Sequence, residues 1–144
     1  MAMDTQLLEV LLEERAILNV LHQYCHAMDY GLDAEWVAVF ADDGVFDVRK
    51  PTGETMNLRT GRDQLATYIA SYPKPPASYN KHFCMDPMIK LDGDEAIVSS
   101  YFLALRNEED GKPALGSFGR FTDRLRKIDG EWRIANRVAE VEAF

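Results

Sequence analysis

The apolar residues of the first thirty positions recur at intervals of three, four and seven. They are Leu7, Leu11, Leu18, Leu21, Cys25 and Met28. This spacing forms one stripe along an amphipathic helix, so the segment is predicted to fold as one or two helices. Gly31 follows the stripe and is typical of a helix end, because glycine adopts the left-handed backbone conformation without strain.

The next segment is predicted to hold a short helix, a hairpin and a third helix. Asp33 can cap the short helix, which carries Trp36, Val37 and Phe40 on one side. Residues 42–61 alternate as two strands around a turn at 51–53. Thr60 followed by Asp63 resembles a capping box that opens the third helix, whose apolar residues are Leu65, Tyr68 and Ile69.

The pattern changes to strands in the second half of the chain. Residues 71–81 contain three prolines and two tyrosines, so they are predicted to form a loop, long enough to cover a pocket. Two hairpins follow, with turns at 92–94 and at 129–130. Helices followed by a meander of strands predict an α+β fold. The length of 144 residues suits a single domain spanning residues 1–144.

Composition narrows the class of protein. Hydrophobic residues make up 47% of the chain, enough for a core without disulfides, and the two cysteines cannot build a disulfide framework. The net charge of −8 disfavours nucleic acid as a partner. The sequence shows no secretion signal and no apolar run long enough to cross a bilayer. We therefore expect a soluble cytoplasmic protein that does not bind membranes.

One acidic residue lies in line with the apolar stripe of the first helix. At about 100° per residue, Asp29 falls in the same wedge as Leu18 and Cys25 and is predicted to point inward. A buried carboxylate needs a partner. His82 could supply it from a strand that also carries Cys84 on the same face. The alternatives are a structural ion pair and an Asp29 that caps the second helix.

The same helix offers a possible metal site. His22, His26 and Asp29 lie within about 60° of one another, and a metal could bridge them. We predict no metal, because Asp29 has a better explanation as the partner of His82. His22 is then expected to pack partly buried, and His26 to face solvent or a subunit contact.

Three segments in this order resemble one family. They are RAILNVLHQYCHAMDYGLDAEWVAVFADDGVF, HFCMDPMIKLDGDEAIVSSYF and GRFTDRLRKIDGEWRIANRV. Over roughly residues 8–142 the chain resembles the SnoaL-like branch of the nuclear transport factor two-like superfamily, which includes scytalone dehydratase. The resemblance implies a cone-shaped curved mixed or antiparallel sheet packed with three helices around a pocket. It also implies an enzyme that needs neither a metal nor an organic cofactor.

The resemblance also implies site residues. Asp29 and His82 match an aspartate–histidine pair in which the histidine is the base. Tyr24 and Arg137 match residues that would stabilise a leaving group or an enolate-like oxygen. The second strand histidine of scytalone dehydratase is missing here. Substrate-binding positions on the pocket wall are Phe46, Cys84, Phe102 and Phe121.

Several of these positions have a simpler interpretation. Tyr24 lies about 140° from Asp29 on an ideal helix and could be a plain core aromatic. Arg137 is expected to share a strand face with Arg133, Ala135 and Ala139, either solvated or turned into the pocket to hold an anionic group. The three phenylalanines could equally belong to the core.

With these residues the chemistry predicted is proton transfer. A carboxylate beside an imidazole fixes its tautomer and raises its basicity. The first expectation is an elimination, most simply a dehydration, on a small apolar or cyclic substrate. The alternatives are a ketosteroid-isomerase-like or polyketide-cyclase-like proton-transfer enzyme, a ligand-binding protein and a dioxygenase-small-subunit-like protein. A homo-oligomer, trimer or dimer, is expected because Tyr101, Leu103 and Leu105 would otherwise be exposed.

Overall fold

A computed structural model describes residues 4–144, which form three helices and six strands. The helices are α1 (Thr5–Tyr30), α2 (Asp33–Ala38) and α3 (Arg62–Ala70). The strands are β1 (Phe40–Arg49), β2 (Thr55–Thr60), β3 (Lys81–Asp92), β4 (Glu95–Asn107), β5 (Pro113–Ile128) and β6 (Glu131–Ala143). Residues 71–80 connect α3 to β3 without helix or strand, as the prolines predicted.

Residues Thr5–Tyr30 form one helix rather than two. The Asp4 carboxylate caps its start by accepting a hydrogen bond of 3.0 Å from the backbone N–H of Gln6. Gly31 ends it at φ 71°, in the left-handed conformation, and its N–H donates to the carbonyl of Ala27. Both ends therefore satisfy backbone groups that the helix itself leaves unpaired.

The predicted start of α2 was wrong in detail. Asp33 is the first residue of this helix and does not cap it. Its carboxylate instead accepts two hydrogen bonds from the Lys74 ammonium, of 2.8 and 2.7 Å. Phe40, expected on α2, begins β1 because the helix already ends at Ala38.

The predicted cap of α3 was also wrong. Thr60 is the last residue of β2, and Gly61 occupies the cap position without a side-chain hydrogen bond. The side chain of Gln64 reaches back instead and accepts the backbone N–H of Thr60 at 3.0 Å. This contact joins the start of the helix to the end of the strand and takes the place of the expected pairing with Asp63.

The six strands form one curved sheet in the order β2-β1-β6-β5-β4-β3. β1 and β6 run parallel, and every other neighbouring pair is antiparallel. The three hairpins predicted from the sequence are the β1–β2, β3–β4 and β5–β6 pairs. The α+β class with a curved mixed sheet is thus confirmed. No helix among residues 4–144 is long and apolar enough to cross a membrane.

A bulge in β6 changes which side chains face the core. Ile134 pairs with Leu125 and Asn136 with Arg124, so Ala135 is an extra residue in this strand. An extra residue reverses the alternation of faces beyond it. Ile134 and Arg137 are therefore both buried, with no exposed surface. The expected common face of Arg137 with Arg133 and Ala135 was wrong, and only Ala139 shares it.

Candidate functional site

The structure brings Asp29 and His82 into contact. Asp29 lies near the end of α1, and His82 is the second residue of the edge strand β3. The His82 ring nitrogen Nδ1 is 2.5 Å from Asp29 Oδ1, and the backbone N–H of His82 donates to Asp29 Oδ2 at 2.8 Å. Both carboxylate oxygens thus accept hydrogen bonds from His82, which fixes the position and the orientation of the imidazole.

This contact determines the tautomer of His82. An ionised carboxylate only accepts hydrogen bonds, so Nδ1 must carry the hydrogen of the neutral ring. The lone pair then lies on Nε2, which is 3.2 Å from the hydroxyl oxygen of Tyr72. Tyr72 therefore donates to His82. Sequence reasoning did not single out Tyr72; its only signal was its place in the proline-rich loop that leads to His82.

A cavity of about 320 Å³ opens beside this pair, between the end of α1 and the start of β3. Its walls come from two short stretches of the chain: His22, Cys25, His26, Asp29 and Tyr30 on α1, and Lys81, His82, Phe83 and Cys84 on β3. A second hollow of about 290 Å³ touches the other side of His82 and is also lined by Tyr72, Ala104 and Ser117. His82 is the residue that the two spaces share.

The two cysteines of the cavity are walls rather than nucleophiles. Burial raises the pKa of Cys25 to about 12. Burial also raises the pKa of Cys84, although the nearby Arg137 guanidinium opposes this. Cys84 Sγ donates to the Ser100 hydroxyl at 3.2 Å. Both thiols are therefore neutral near pH 7, and a neutral thiol is a poor nucleophile. Cys84, expected on the pocket wall, is among the residues that line this cavity, and its contact with a substrate stays a prediction.

Arg137 is neither solvated nor open to the cavity, contrary to both expectations. Its guanidinium forms two hydrogen bonds with Asp123, of 2.8 and 2.7 Å, and both side chains are fully buried. The rings of Tyr24 and Phe121 lie 4.1 and 3.9 Å from the guanidinium carbon. The bulge in β6 turns Arg137 inward, where it needs a buried counter-charge. The sequence does not mark Asp123 as that partner.

The aromatic residues expected on the pocket wall lie in the core instead. Phe102 and Phe121 stack with ring centroids 4.7 Å apart, and both are buried. Phe46 and Tyr24 pack edge to face at 6.2 Å, also buried. None of these four lines the cavity beside His82. They pack against one another because contact between the rings buries more of their apolar surface than a place on the wall of an open cavity would.

His22 and His26 lie at the rim of the cavity, and both are exposed. The expected partial burial of His22 was therefore wrong. Asp29, the third member of the possible metal site, accepts hydrogen bonds from His82 with both carboxylate oxygens. Among residues 4–144, no three His, Cys, Asp or Glu side chains are grouped so that they could hold a metal ion.

Several solved structures have a fold similar to that of this chain. A Mycobacterium tuberculosis protein of unknown function is 25% identical, with a TM-score of 0.83 over 94% of this chain and 75% of that chain. A candidate scytalone dehydratase from Novosphingobium aromaticivorans is 23% identical, with a TM-score of 0.76 over 91% and 85% of the two chains.

A third similar structure belongs to another functional class. The beta subunit of a candidate aromatic-ring-hydroxylating dioxygenase from Novosphingobium aromaticivorans is 17% identical, with a TM-score of 0.83 over 94% and 92% of the chains. No curated protein sequence matches this chain. The model of one family, described as a SnoaL-like domain, matches residues 9–138. The chain therefore belongs to the SnoaL-like domain family.

Proposed function

We propose that this protein is a lyase that eliminates water or a related leaving group from a small, apolar or cyclic substrate, with His82 as base and Asp29 as its partner. One observation carries the proposal. Asp29 engages the backbone and Nδ1 of His82 together, which directs the lone pair of Nε2 away from the carboxylate. A group placed in this way can accept a proton from a bound molecule.

The reaction follows from the strength of this base. A neutral imidazole removes a proton from carbon only where a neighbouring group, such as a carbonyl, stabilises the negative charge that develops. His82 Nε2 takes that proton, the C–H electron pair becomes a carbon–carbon double bond, and the leaving group departs with its own bonding pair. The Asp29 carboxylate stabilises the imidazolium that forms.

The dimensions of the cavity support a small substrate. Its volume of about 320 Å³ lies at the low end of the range for ligand pockets, which runs from about 300 Å³ upward. Tyr30 and the two neutral thiols supply apolar wall, and His82 supplies a polar group. A cyclic β-hydroxyketone combines the acidic proton, the leaving hydroxyl and the apolar ring that this site calls for.

Tyr24 and Arg137 are assigned no contact with substrate. Their burial and their mutual packing instead make them part of the framework behind Cys84. The proposed catalytic unit is accordingly smaller than the one that the resemblance implied.

Product formation tests the proposal directly. Purified protein is incubated with cyclic β-hydroxyketones such as 3-hydroxycyclohexanone, and the enone is followed by its ultraviolet absorbance. We expect catalysed release of enone, lost in His82→Ala and retained in Asp33→Asn, which removes a half-buried carboxylate that pairs with Lys74 and does not line the cavity. Turnover that survives His82→Ala would remove His82 from the mechanism.

Two other functions have specific support. If the substrate carries no leaving group, the same base would move a double bond instead. Deuterium uptake from heavy water without release of a leaving group would show this isomerisation. The similarity to a dioxygenase beta subunit favours an accessory role. An accessory subunit has no need of a base held by a carboxylate at a cavity, so elimination is the stronger proposal.

A further inference from the structure

Tyr72 is held against the base by contacts on three sides. It lies two residues after the last residue of α3, and its backbone N–H donates to the carbonyl of Ile69 at 3.1 Å. Its ring packs against Tyr68 and against the imidazole of His82, with ring centroids 6.2 and 5.8 Å apart. Its hydroxyl is therefore fixed beside Nε2 by rigid structure, although the rest of the connection 71–80 has no helix or strand.

The Tyr72 hydroxyl lies on the lone-pair side of the base. Tyr72 lines the second hollow, so a substrate in the cavity of about 320 Å³ meets this hydroxyl at His82, which both spaces share. Nε2 has one lone pair, and in the neutral ring that lone pair accepts the Tyr72 O–H at 3.2 Å. A substrate that gives its proton to Nε2 must displace this hydrogen bond. The half-buried Tyr72 O–H is then free to donate to a new acceptor on the substrate.

We propose that Tyr72 is a further catalytic residue, which donates its proton to the oxygen that leaves the substrate. This proposal rests on the proposed function of elimination and names the acid that works with His82. The base and the acid lie side by side, so they suit a proton and an oxygen carried on adjacent carbon atoms of one small molecule.

The proton balance closes without a further reactant. Nε2 takes the proton from carbon, and the C–H electron pair forms the double bond. The C–O bond breaks, and the leaving oxygen takes the proton of Tyr72 and departs as water. The imidazolium then returns a proton from Nε2 to the tyrosinate, which restores both groups.

The environment of Tyr72 keeps it protonated between turnovers. Burial, with smaller contributions from Tyr68 and Asp29, raises the pKa of Tyr72. At neutral pH it is therefore a donor and not a second base. An acid of this kind matches a hydroxide-like leaving group, which is itself strongly basic at the moment of departure.

The hydrogen bond itself is tested without any substrate. Protein labelled with ¹⁵N in its three histidines is compared by NMR as wild type, Tyr72→Phe and Tyr68→Phe. Tyr68 is a matched control, because burial also raises its pKa. We expect the ¹⁵Nε2 resonance of His82 to move downfield in Tyr72→Phe alone, with ¹⁵Nδ1 unchanged. An unchanged Nε2 resonance overturns the proposal.

The leaving group tests the acid. A hydroxyl needs a proton in order to leave, whereas fluoride leaves as a stable anion. With 3-hydroxycyclohexanone, Tyr72→Phe should lower kcat by about 10²-fold or more. With 3-fluorocyclohexanone the same variant should stay close to wild type, and His82→Ala should lose both reactions. Tyr68→Phe should keep both.

Each kinetic outcome decides a different claim. Equal losses with the two ketones in Tyr72→Phe overturn the role of Tyr72 alone, since a structural defect would slow both. A wild type that eliminates from neither ketone counts against the proposed function and against Tyr72 as acid together. Should Tyr72→Phe fail to fold, fluorotyrosine at this position keeps the ring and makes a stronger acid. The fluorotyrosine variant should change the elimination rate with the hydroxyketone only. A variant whose rate with the hydroxyketone equals that of the wild type would overturn the role of Tyr72 as acid.

Discussion

The carboxylate of Asp29 accepts hydrogen bonds from the ring and from the backbone of one residue, His82, at 2.5 and 2.8 Å. The end of α1 is thereby joined to the start of the edge strand β3, across a separation of 53 residues. A single acidic side chain thus anchors the strand, orients the imidazole and fixes its tautomer. These roles predict how substitutions at the pair behave together.

Asp29→Asn should fold but lose most of the activity. The amide nitrogen of asparagine cannot accept the Nδ1–H, so the ring is free to take the other tautomer, and kcat should fall by about 10²- to 10⁴-fold. His82→Ala should lose at least as much. The double variant should lose little more than either, because the two residues act as one unit. Steady-state kinetics on a β-hydroxyketone measures all three, and multiplicative losses would show that the residues act independently.

The buried pair of Asp123 and Arg137 should dominate the stability of the sheet interior. Asp123→Ala leaves a fully buried guanidinium without its counter-charge, which should lower the free energy of unfolding by about 3–5 kcal/mol. Glu140→Ala removes a partner of the exposed Arg120 and should cost at most about 1 kcal/mol. Urea denaturation followed by circular dichroism compares them. Similar losses in the two variants would contradict the assigned importance of burial.

Glu13 should make stability depend on pH on the acid side. Hydrogen bonds from Lys127 at 2.5 Å and from Trp132 at 2.6 Å lower the pKa of its carboxyl below the ordinary value. A lowered pKa in the folded state contributes stability above the ordinary carboxyl pKa, and that contribution disappears as the pH falls through the folded value. Urea midpoints measured from neutral to acidic pH should separate wild type from Glu13→Gln at neutral pH and converge in acid. Parallel curves would refute the assignment.

The outer face of the sheet should be an interface between copies of this chain. Phe83, Tyr101 and Phe118 are 41%, 55% and 41% exposed, and the register places Leu103 opposite both phenylalanines. Neighbouring apolar side chains on adjacent strands form a surface of the kind that association buries. We expect a dimer or trimer by light scattering at micromolar concentration, and monomer for Tyr101→Asp.

The control for this prediction is an exposed apolar residue elsewhere. Met56 on β2, at the opposite edge of the sheet, is 45% exposed. Met56→Asp should keep the assembly of the wild type. A wild type that is monomeric at micromolar concentration would sink the prediction.

The features that depend on local periodicity could be predicted from the amino-acid sequence. The stripe of α1 predicted that Asp29 points inward, because 3.6 residues per turn places it in line with Cys25. Gly31 predicted the helix end, because few other residues adopt its backbone conformation. The alternation along β3 placed His82 and Cys84 on one face, and the paired turns predicted the hairpins. Each of these follows from interactions within a few residues.

The contacts between groups far apart in the chain could not be predicted from the sequence and depend on the packing of the fold. The extra residue at Ala135 turned Arg137 into the core. The hydrophobic pattern did not reveal this shift, because the residue that turns inward is charged while the apolar Val138 beside it is only partly buried. The counter-charge of Arg137 is Asp123, which the register of two strands places opposite it. The contact of Tyr72 with His82 depends on where the end of α3 lies relative to the start of β3, which residues 71–80 connect. Such contacts are determined by the packing of whole elements, which the order of residues within each element does not reveal.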